Sequence, residues 1–455
     1  MKTILTFLSM FLLTNSYAQC YTTVKSHNGT IIARMTDGTL WAKGANNNGI
    51  SGNGTTAHIT NFIQIGTDND WSDNFSMSSS HVLAIKNNGT LWAWGRNSYG
   101  SCGFGLADTG VYYEPTQVGT DNHWTFLAAG TSHSLAVKSD GTLWSWGANE
   151  YGQLGIGASS DTQRLVPMQV GSETHWQKVF SNGYNYAIKM DGTLWIWGAG
   201  SATAPAQLGT DADWDMISTA LSFSIGLKIN HTLWAWGSSA GSLFGNGAPS
   251  GQGSSSSYPI QLGTDSDWKQ ITVSYNSCLA LKNNGTRWGW GLNSTTFALG
   301  DGTMTSWTYP TQLDTASDWN YTAIDTESGP GVAIKQDNSL YQWGHISNFP
   351  GVITVPTLQG NVCLLSTNSF EETAAIKIFP NPTANNVSIN YNLKESGTVR
   401  ISITDCLGQL VYDTIVIGKA NENEQQINMS NFASGVYFIK MQTGSKSFCG
   451  KIIKN

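Results

Sequence analysis

Gly89-Thr90-Leu91-Trp92-Ala93-Trp94-Gly95 is a segment whose tryptophan pair returns along the chain as Trp144 and Trp146, Trp195 and Trp197, Trp234 and Trp236, and Trp288 and Trp290. Trp41 precedes this series, and Tyr341 with Trp343 ends it. A second column of tryptophans closes a Gly-Thr-Asp-x-Asp-Trp turn at Trp71, Trp124, Trp176, Trp214, Trp268 and Trp319. The two columns hold 18 of the 19 tryptophans, leaving only Trp307 outside. Units anchored at Trp41, Trp92, Trp144, Trp195, Trp234, Trp288 and Tyr341 follow one another at 51, 52, 51, 39, 54 and 53 residues. Such a period means an array of like supersecondary units, each burying its apolar face against a neighbour.

Within a unit the residues alternate. Leu83-Ala84-Ile85-Lys86 leads into the turn Asn87-Asn88-Gly89 and on to Leu91-Trp92-Ala93-Trp94, and period-two alternation about an Asn-Gly turn is the signature of a β-hairpin. No segment sustains a helical period. Seven small antiparallel sheets arranged radially leave only short, protected edges, so the expected fold class is all-β, a seven-bladed β-propeller over residues 19–366. Tryptophan suits the seams between blades because one indole buries a large area while its N–H still finds an acceptor. The fourth and seventh units lack the Gly-x-Leu-Gly-x-Gly segment that follows Trp146, and truncated outer hairpins are expected there.

The 455-residue chain carries a net charge of −7, and only 12% of its residues are charged, about half the usual share. An acidic chain without a basic patch is a poor nucleic-acid partner. Residues 1–18 read as a secretory signal peptide: Lys2, an apolar run from Ile4 to Leu13, then Ser16-Tyr17-Ala18. No other apolar run approaches the length of a transmembrane helix. Six cysteines in an exported chain permit disulfides. Aligned repeats place Cys20 where later units carry the second-column tryptophan and Cys363 just past the last turn glycine, Gly360, so a Cys20–Cys363 disulfide is expected across the ring closure. Cys102 and Cys278 fall at small packing positions, while Cys406 and Cys449 share the C-terminal domain and could pair there.

One unit gathers the motif: Trp124, Gly130, His133, Leu135-Ala136-Val137, Asp140-Gly141, Trp144, Trp146-Gly147, Asn149 and Gly152-Gln153-Leu154-Gly155-Ile156-Gly157. It resembles a repeat of the regulator of chromosome condensation family, and the likeness recurs from about residue 22 to 360. The resemblance implies a seven-bladed propeller. The signal peptide and acidic charge argue against guanine-nucleotide exchange on a nuclear GTPase.

Repeat texture stops near Ser366, and residues 367–375 read as a linker. From 376 to 455, short alternating strands such as Val387-Ser388-Ile389-Asn390-Tyr391 and Val399-Arg400-Ile401-Ser402-Ile403 predict a small β-sandwich. With Pro380-Asn381-Pro382, Gly408, Gly435-Val436-Tyr437 and a basic terminus, this domain resembles the C-terminal sorting domain of type IX secretion. That likeness implies engagement of the secretion machinery and delivery outside a Gram-negative cell or onto its surface.

Catalytic patterns are scarce. His81 and His133 share a repeat column with Tyr184 and Phe223, which suits packing better than a base. The Gly-rich runs do not join a strand to a helix, as a phosphate loop would. The pairs Asp68/Asp70, Asp211/Asp213 and Asp265/Asp267 alternate with Asn and His in their column and lack a calcium-loop pattern, so they are read as turns and no metal or cofactor is expected. Non-repeating loops carry Tyr112, Tyr113, Arg164, Tyr258, Trp307 and Tyr309, residue types that dominate contact hot spots, or that pack back over the blade edges. The expected function is therefore non-catalytic recognition of a protein or glycan by a secreted, monomeric propeller. Alternatives are a proteinaceous inhibitor of an extracellular hydrolase, which the family resemblance implies, and a lyase or hydrolase using Glu114, Glu150 or Asp161.

Overall fold

The computed structural model describes residues 20–455 except for 107–109, 159, 201, 240–241, 248–253, 294–296, 326–329, 346–350, 360–376, 394–395, 406–409 and 444–445. The signal peptide, Cys363, Cys406 and Gly408 therefore lie outside the described residues. The chain divides into two compact units, Cys20–Gly360 and a C-terminal one.

Seven four-stranded antiparallel sheets make up the first unit, each built from four strands consecutive in the chain. The second blade is typical, with strands Trp71–Met77, His81–Lys86, Leu91–Arg96 and Val111–Gln117 from the axis outward. Its central hairpin follows directly from Asn88-Gly89-Thr90. The Asn88 side-chain oxygen accepts the Thr90 backbone N–H and hydroxyl, and Thr90 Oγ1 accepts the Trp92 indole N–H at 3.0 Å. The same Asp/Asn–Thr–Trp relay recurs at Asp140–Thr142–Trp144 and Asn284–Thr286–Trp288. Gly89 has φ +80°, and a Cβ there would stand 2.0 Å from the Asn122 carbonyl oxygen of the next blade, so the turn glycine permits a close approach between blades.

The seam is built by the second tryptophan of each pair. Trp94, Trp146, Trp197, Trp290 and Trp343 are fully buried, and each donates its indole N–H to a carbonyl in the Gly-rich run of the preceding blade: Ile50, Ser101, Gln153, Leu243 and Ala298, at 2.8–3.1 Å. Glycine is needed at these runs because a Cβ at Gly103 would lie 2.9 Å from Trp146 Nε1. The Gly-rich segments are thus receptacles for the seam indole.

The two blades without such a run are each followed by a compensating change. After the fourth blade, Trp236 donates instead to the Tyr186 hydroxyl at 3.0 Å. After the seventh, the first blade has Lys43 where the seam tryptophan would be, and its ammonium reaches the side-chain oxygens of Gln342 and Gln359 at 3.2 and 2.7 Å. The expected truncation falls on the connections and not on the strands: the fourth and seventh blades keep outermost strands Ala202–Gln207 and Val352–Gln359. In the fourth, the connection alone is shortened, because backbone pairing of the outer strand to Leu194–Gly198 does not require the glycine run.

The ring closes without strand exchange. Tyr21, Val24 and Ile31 of the first blade share an apolar cluster with Val332, Ile334 and Leu340 of the seventh, and the Asp325 carboxylate accepts the Gly29 N–H at 2.7 Å. Cys20 is disulfide-bonded, while its expected partner Cys363 lies outside the described residues. Cys102 and Cys278 are buried. Each outermost strand from the second blade to the seventh carries a proline, as at Pro115, Pro167 and Pro310, which denies an incoming strand a donor at an edge.

The C-terminal unit packs a three-stranded sheet, Lys377–Phe379, Asn386–Leu393 and Asn421–Asn428, on a four-stranded one, Gly397–Asp405, Leu410–Gly418, Gly435–Thr443 and Lys446–Lys454. Val387, Ile389 and Ile427 meet Ile401, Ile403 and Ile439 in one core, as alternation in these strands predicts.

Candidate functional site

A lysine ends the second strand of six blades; its ammonium sits between two indoles in five of them and between Trp319 and Tyr341 in the seventh. Lys138 Nζ lies 4.6 Å from the Trp124 ring and 3.6 Å from Trp144, and pairs with Asp121. Lys86, Lys228 and Lys282 repeat this with Asp68/Asp70, Asp211/Asp213 and Asp265/Asp267 at 2.7–3.1 Å. Burial opposes the charge of these three lysines, but their paired carboxylates outweigh it and raise their pKa. The Asp pairs therefore act as counter-ions for a lysine held between tryptophans. Cation–π contacts of this kind are worth about 0.5–2 kcal/mol each.

The buried histidines also serve the seams. His81 Nε2 meets Ser134 Oγ of the next blade at 2.8 Å, and His133 Nε2 meets Asn185 Oδ1 at 2.7 Å. Burial lowers their pKa to about 3 and about 4, which keeps both neutral and inaccessible to a substrate.

The structure corrects the placement of the six predicted contact residues. All sit on outermost strands instead of loops. Tyr258 and Tyr309 are 66% and 59% exposed, and Tyr113 is 42% exposed. Tyr112 turns back to stack on Phe104 at 4.5 Å between centroids. Arg164 is tied to Asp161. Trp307 is half-buried between the apolar clusters of two blades and donates to Asp301 at 3.0 Å. Hence three tyrosines remain as a perimeter surface, with Val166, Met168, Ile260 and Val355 also exposed on outermost strands, while Trp307 and Arg164 serve structure. Glu114 and Glu150 are exposed and lie on separate blades, and Asp161 is taken by Arg164, so the three carboxylates do not form an acid–base pair.

A second surface escaped sequence reading: a cavity of about 480 Å³ on the propeller axis, lined by the innermost strand of every blade. Its lining includes Lys25, Phe126, Phe180, Met216 and Tyr321. No repeat motif marks it, because the residues two past the second-column tryptophans vary from unit to unit, as at Phe126, Met216, Gln270 and Tyr321.

In the C-terminal unit, Asn381 clamps the last strand, donating to the Lys451 carbonyl at 2.7 Å and accepting the Ile453 N–H at 2.8 Å. Tyr437 donates to the Ala433 carbonyl at 2.8 Å and packs on Phe432.

Comparison with known proteins agrees with both units. The regulator of chromosome condensation (RCC1) repeat family matches residues 88–137 and 140–186, with a related repeat family at 74–101 and 124–153. The family described as secretion system C-terminal sorting domain matches residues 377–455. The chain carries RCC1 repeats and a C-terminal sorting domain. Among curated relatives, the ultraviolet-B receptor UVR8 of Arabidopsis thaliana is 26% identical over 59% of this chain and 52% of that protein. Human protein RCC2 is 31% identical over 31% of this chain and 27% of its own length, and the human probable E3 ubiquitin-protein ligase HERC6 is 32% identical over 29% and 13%. This chain thus spans about half or less of the relatives it matches. The solved structure of Prp20p from Saccharomyces cerevisiae superposes with a TM-score of 0.62 at 18% identity, covering 76% of this chain and 88% of that one. Human WBSCR16 does so with a TM-score of 0.58 at 18% identity, covering 67% and 84%. These likenesses establish the RCC1-type propeller fold. The sorting domain marks the chain for export by type IX secretion, and among the described residues no helix is long and apolar enough to cross a membrane.

Proposed function

We propose that this protein is a non-catalytic recognition module, delivered outside a Gram-negative cell or onto its surface, that binds a protein or glycan through the perimeter of its propeller. The observation that carries this reading is the exposure of Tyr113, Tyr258 and Tyr309 on outermost strands of three blades, since large aromatics left in water on a rigid scaffold are the usual anchors of an interface. Support comes from the similar Prp20p, whose structure was described with its binding to Gsp1p and histones. Binding here requires no cofactor. The test is capture from culture medium and cell-envelope extracts with the full chain, alongside a glycan array. A stoichiometric ligand retained by the wild type and lost by Tyr258→Ala/Tyr309→Ala supports the reading. A ligand held equally by both proteins would move recognition off the perimeter, and turnover of a captured glycan would replace it with an enzyme.

A further inference from the structure

The geometry points to the axial channel as a binding site for a small amphiphilic anion, one carboxylate or sulfonate carried on an aromatic or aliphatic body. Its volume of about 480 Å³ falls within the range of small-molecule pockets, roughly 300–1,000 Å³. One part of its wall is apolar: Phe126 and Phe180 meet edge to face with centroids 5.9 Å apart, and Met216 and Tyr321 are half-buried on other innermost strands.

Most of the charged and amide groups along the polar wall are already satisfied, and the Lys25 ammonium is the charge that is not. Asp73 accepts from Thr22, Thr23 and Arg34 at 2.8, 2.6 and 3.3 Å. The Gln270 amide is used on both backbone groups of Thr322, and Asn182 donates to the Thr219 carbonyl. Near the axis, Lys178 is paired with Asp215 and Lys269 with Asn320. Lys25 differs: among the described residues its ammonium has neither carboxylate nor hydrogen-bond acceptor, only the Tyr321 ring at 6.0 Å.

An ammonium half-withdrawn from water without a counter-ion favours an incoming anion. Ser76 and Ser218 assist, because each hydroxyl oxygen accepts a backbone N–H, from Ala129 and Val273 at 3.0 Å, and keeps its own proton to donate. A ligand with an anionic head at Lys25 and an apolar body against Phe126, Phe180 and Met216 would satisfy both halves. This site is independent of the perimeter surface proposed above.

The test uses the full chain and two fluorescent probes of the same aromatic body, anilinonaphthalene sulfonate and its uncharged analogue phenylnaphthylamine. Saturable binding of one sulfonate per chain is expected, with the neutral analogue weaker by about tenfold or more. Lys25→Met should lose about tenfold in sulfonate affinity and leave the neutral probe unchanged, whereas Lys25→Arg should retain it. Thr272→Trp, which fills the channel, should lose both probes. Lys25→Gln replaces the Met variant should that one fail to fold, as judged by its thermal unfolding. The proposal is overturned by sulfonate binding that survives loss of the Lys25 charge or the Thr272→Trp block, or by equal affinity for both probes.

Discussion

Arg287 and Asp314 offer a test in which the other blades act as the control. Where six blades have leucine ahead of the tryptophan pair, the sixth has Arg287, fully buried. Its guanidinium donates to the Leu299 and Gly300 carbonyls at 2.7 and 3.0 Å, and to the Asp314 carboxylate at 2.9–3.0 Å. Asp314 itself stands where other blades have glycine, as at Gly119 and Gly263, and its second oxygen accepts the Trp319 indole N–H at 3.2 Å. In Trp71, Trp124, Trp176, Trp214 and Trp268 the equivalent N–H is buried without a partner among the described residues. The two departures therefore function as one unit. Asp314→Gly strands a buried guanidinium on two carbonyls and should cost about 3–5 kcal/mol. Arg287→Leu leaves a partly exposed carboxylate that water can reach, and should cost about 1–2 kcal/mol. The double substitution restores the arrangement of the other blades, losing only the Trp319 hydrogen bond, and should cost about 1 kcal/mol. Denaturant unfolding of the wild type, both single variants and the double variant gives the coupling energy, about 3–6 kcal/mol in favour of the pair. Additive costs would refute the claim that the two positions form one device.

Acid should weaken the seams. Because His81 and His133 titrate at about 3 and about 4 in the fold against an unfolded value near 6.5, their contribution is complete above pH 6.5 and is lost as pH falls towards those folded values. The loss by pH 5 is about 2 kcal/mol for each histidine, so a His81→Gln/His133→Gln variant should show a flatter unfolding midpoint between pH 6.5 and 5, and an unchanged slope would contradict their neutral burial. Trp146→Ala should cost about 3–5 kcal/mol by denaturant unfolding, and Trp144→Ala, half-buried over Lys138, distinctly less; equal losses would mean the seam is misassigned. Gly103→Ala should destabilise by more than Gly119→Ala: both have positive φ, costing about 1 kcal/mol, but only at Gly103 does the new Cβ meet an indole. Matching melting temperatures for the two would remove the receptacle argument.

The blade number, the hairpin within each unit and the seam role of Trp146 were legible in the sequence because each depends on a pattern local to one repeat: alternation, an Asn-Gly-Thr turn, a fixed tryptophan spacing. The placement of Tyr258, Tyr309 and Trp307 was not, since the strand or loop status of the segment after a glycine run depends on pairing with a strand 16 to 25 residues earlier. Loss of that run from the fourth and seventh units suggested truncated outer hairpins for the same reason. The Asp pairs looked like turn residues from the sequence, and only the folded blade shows them holding a lysine between two indoles.

What the residues determined unaided was the unit, because hydrogen-bonded hairpins and buried apolar alternation are decided over a few neighbouring positions. Tertiary structure decided what happens where units meet: Lys43 answering the glycine run that the seventh blade lacks, Tyr186 substituting for the one missing from the fourth, and Lys25 brought to the axis among Phe126, Phe180 and Tyr321. These groups lie one to several repeats apart in the chain, and only closure of the ring brings them within reach of one another.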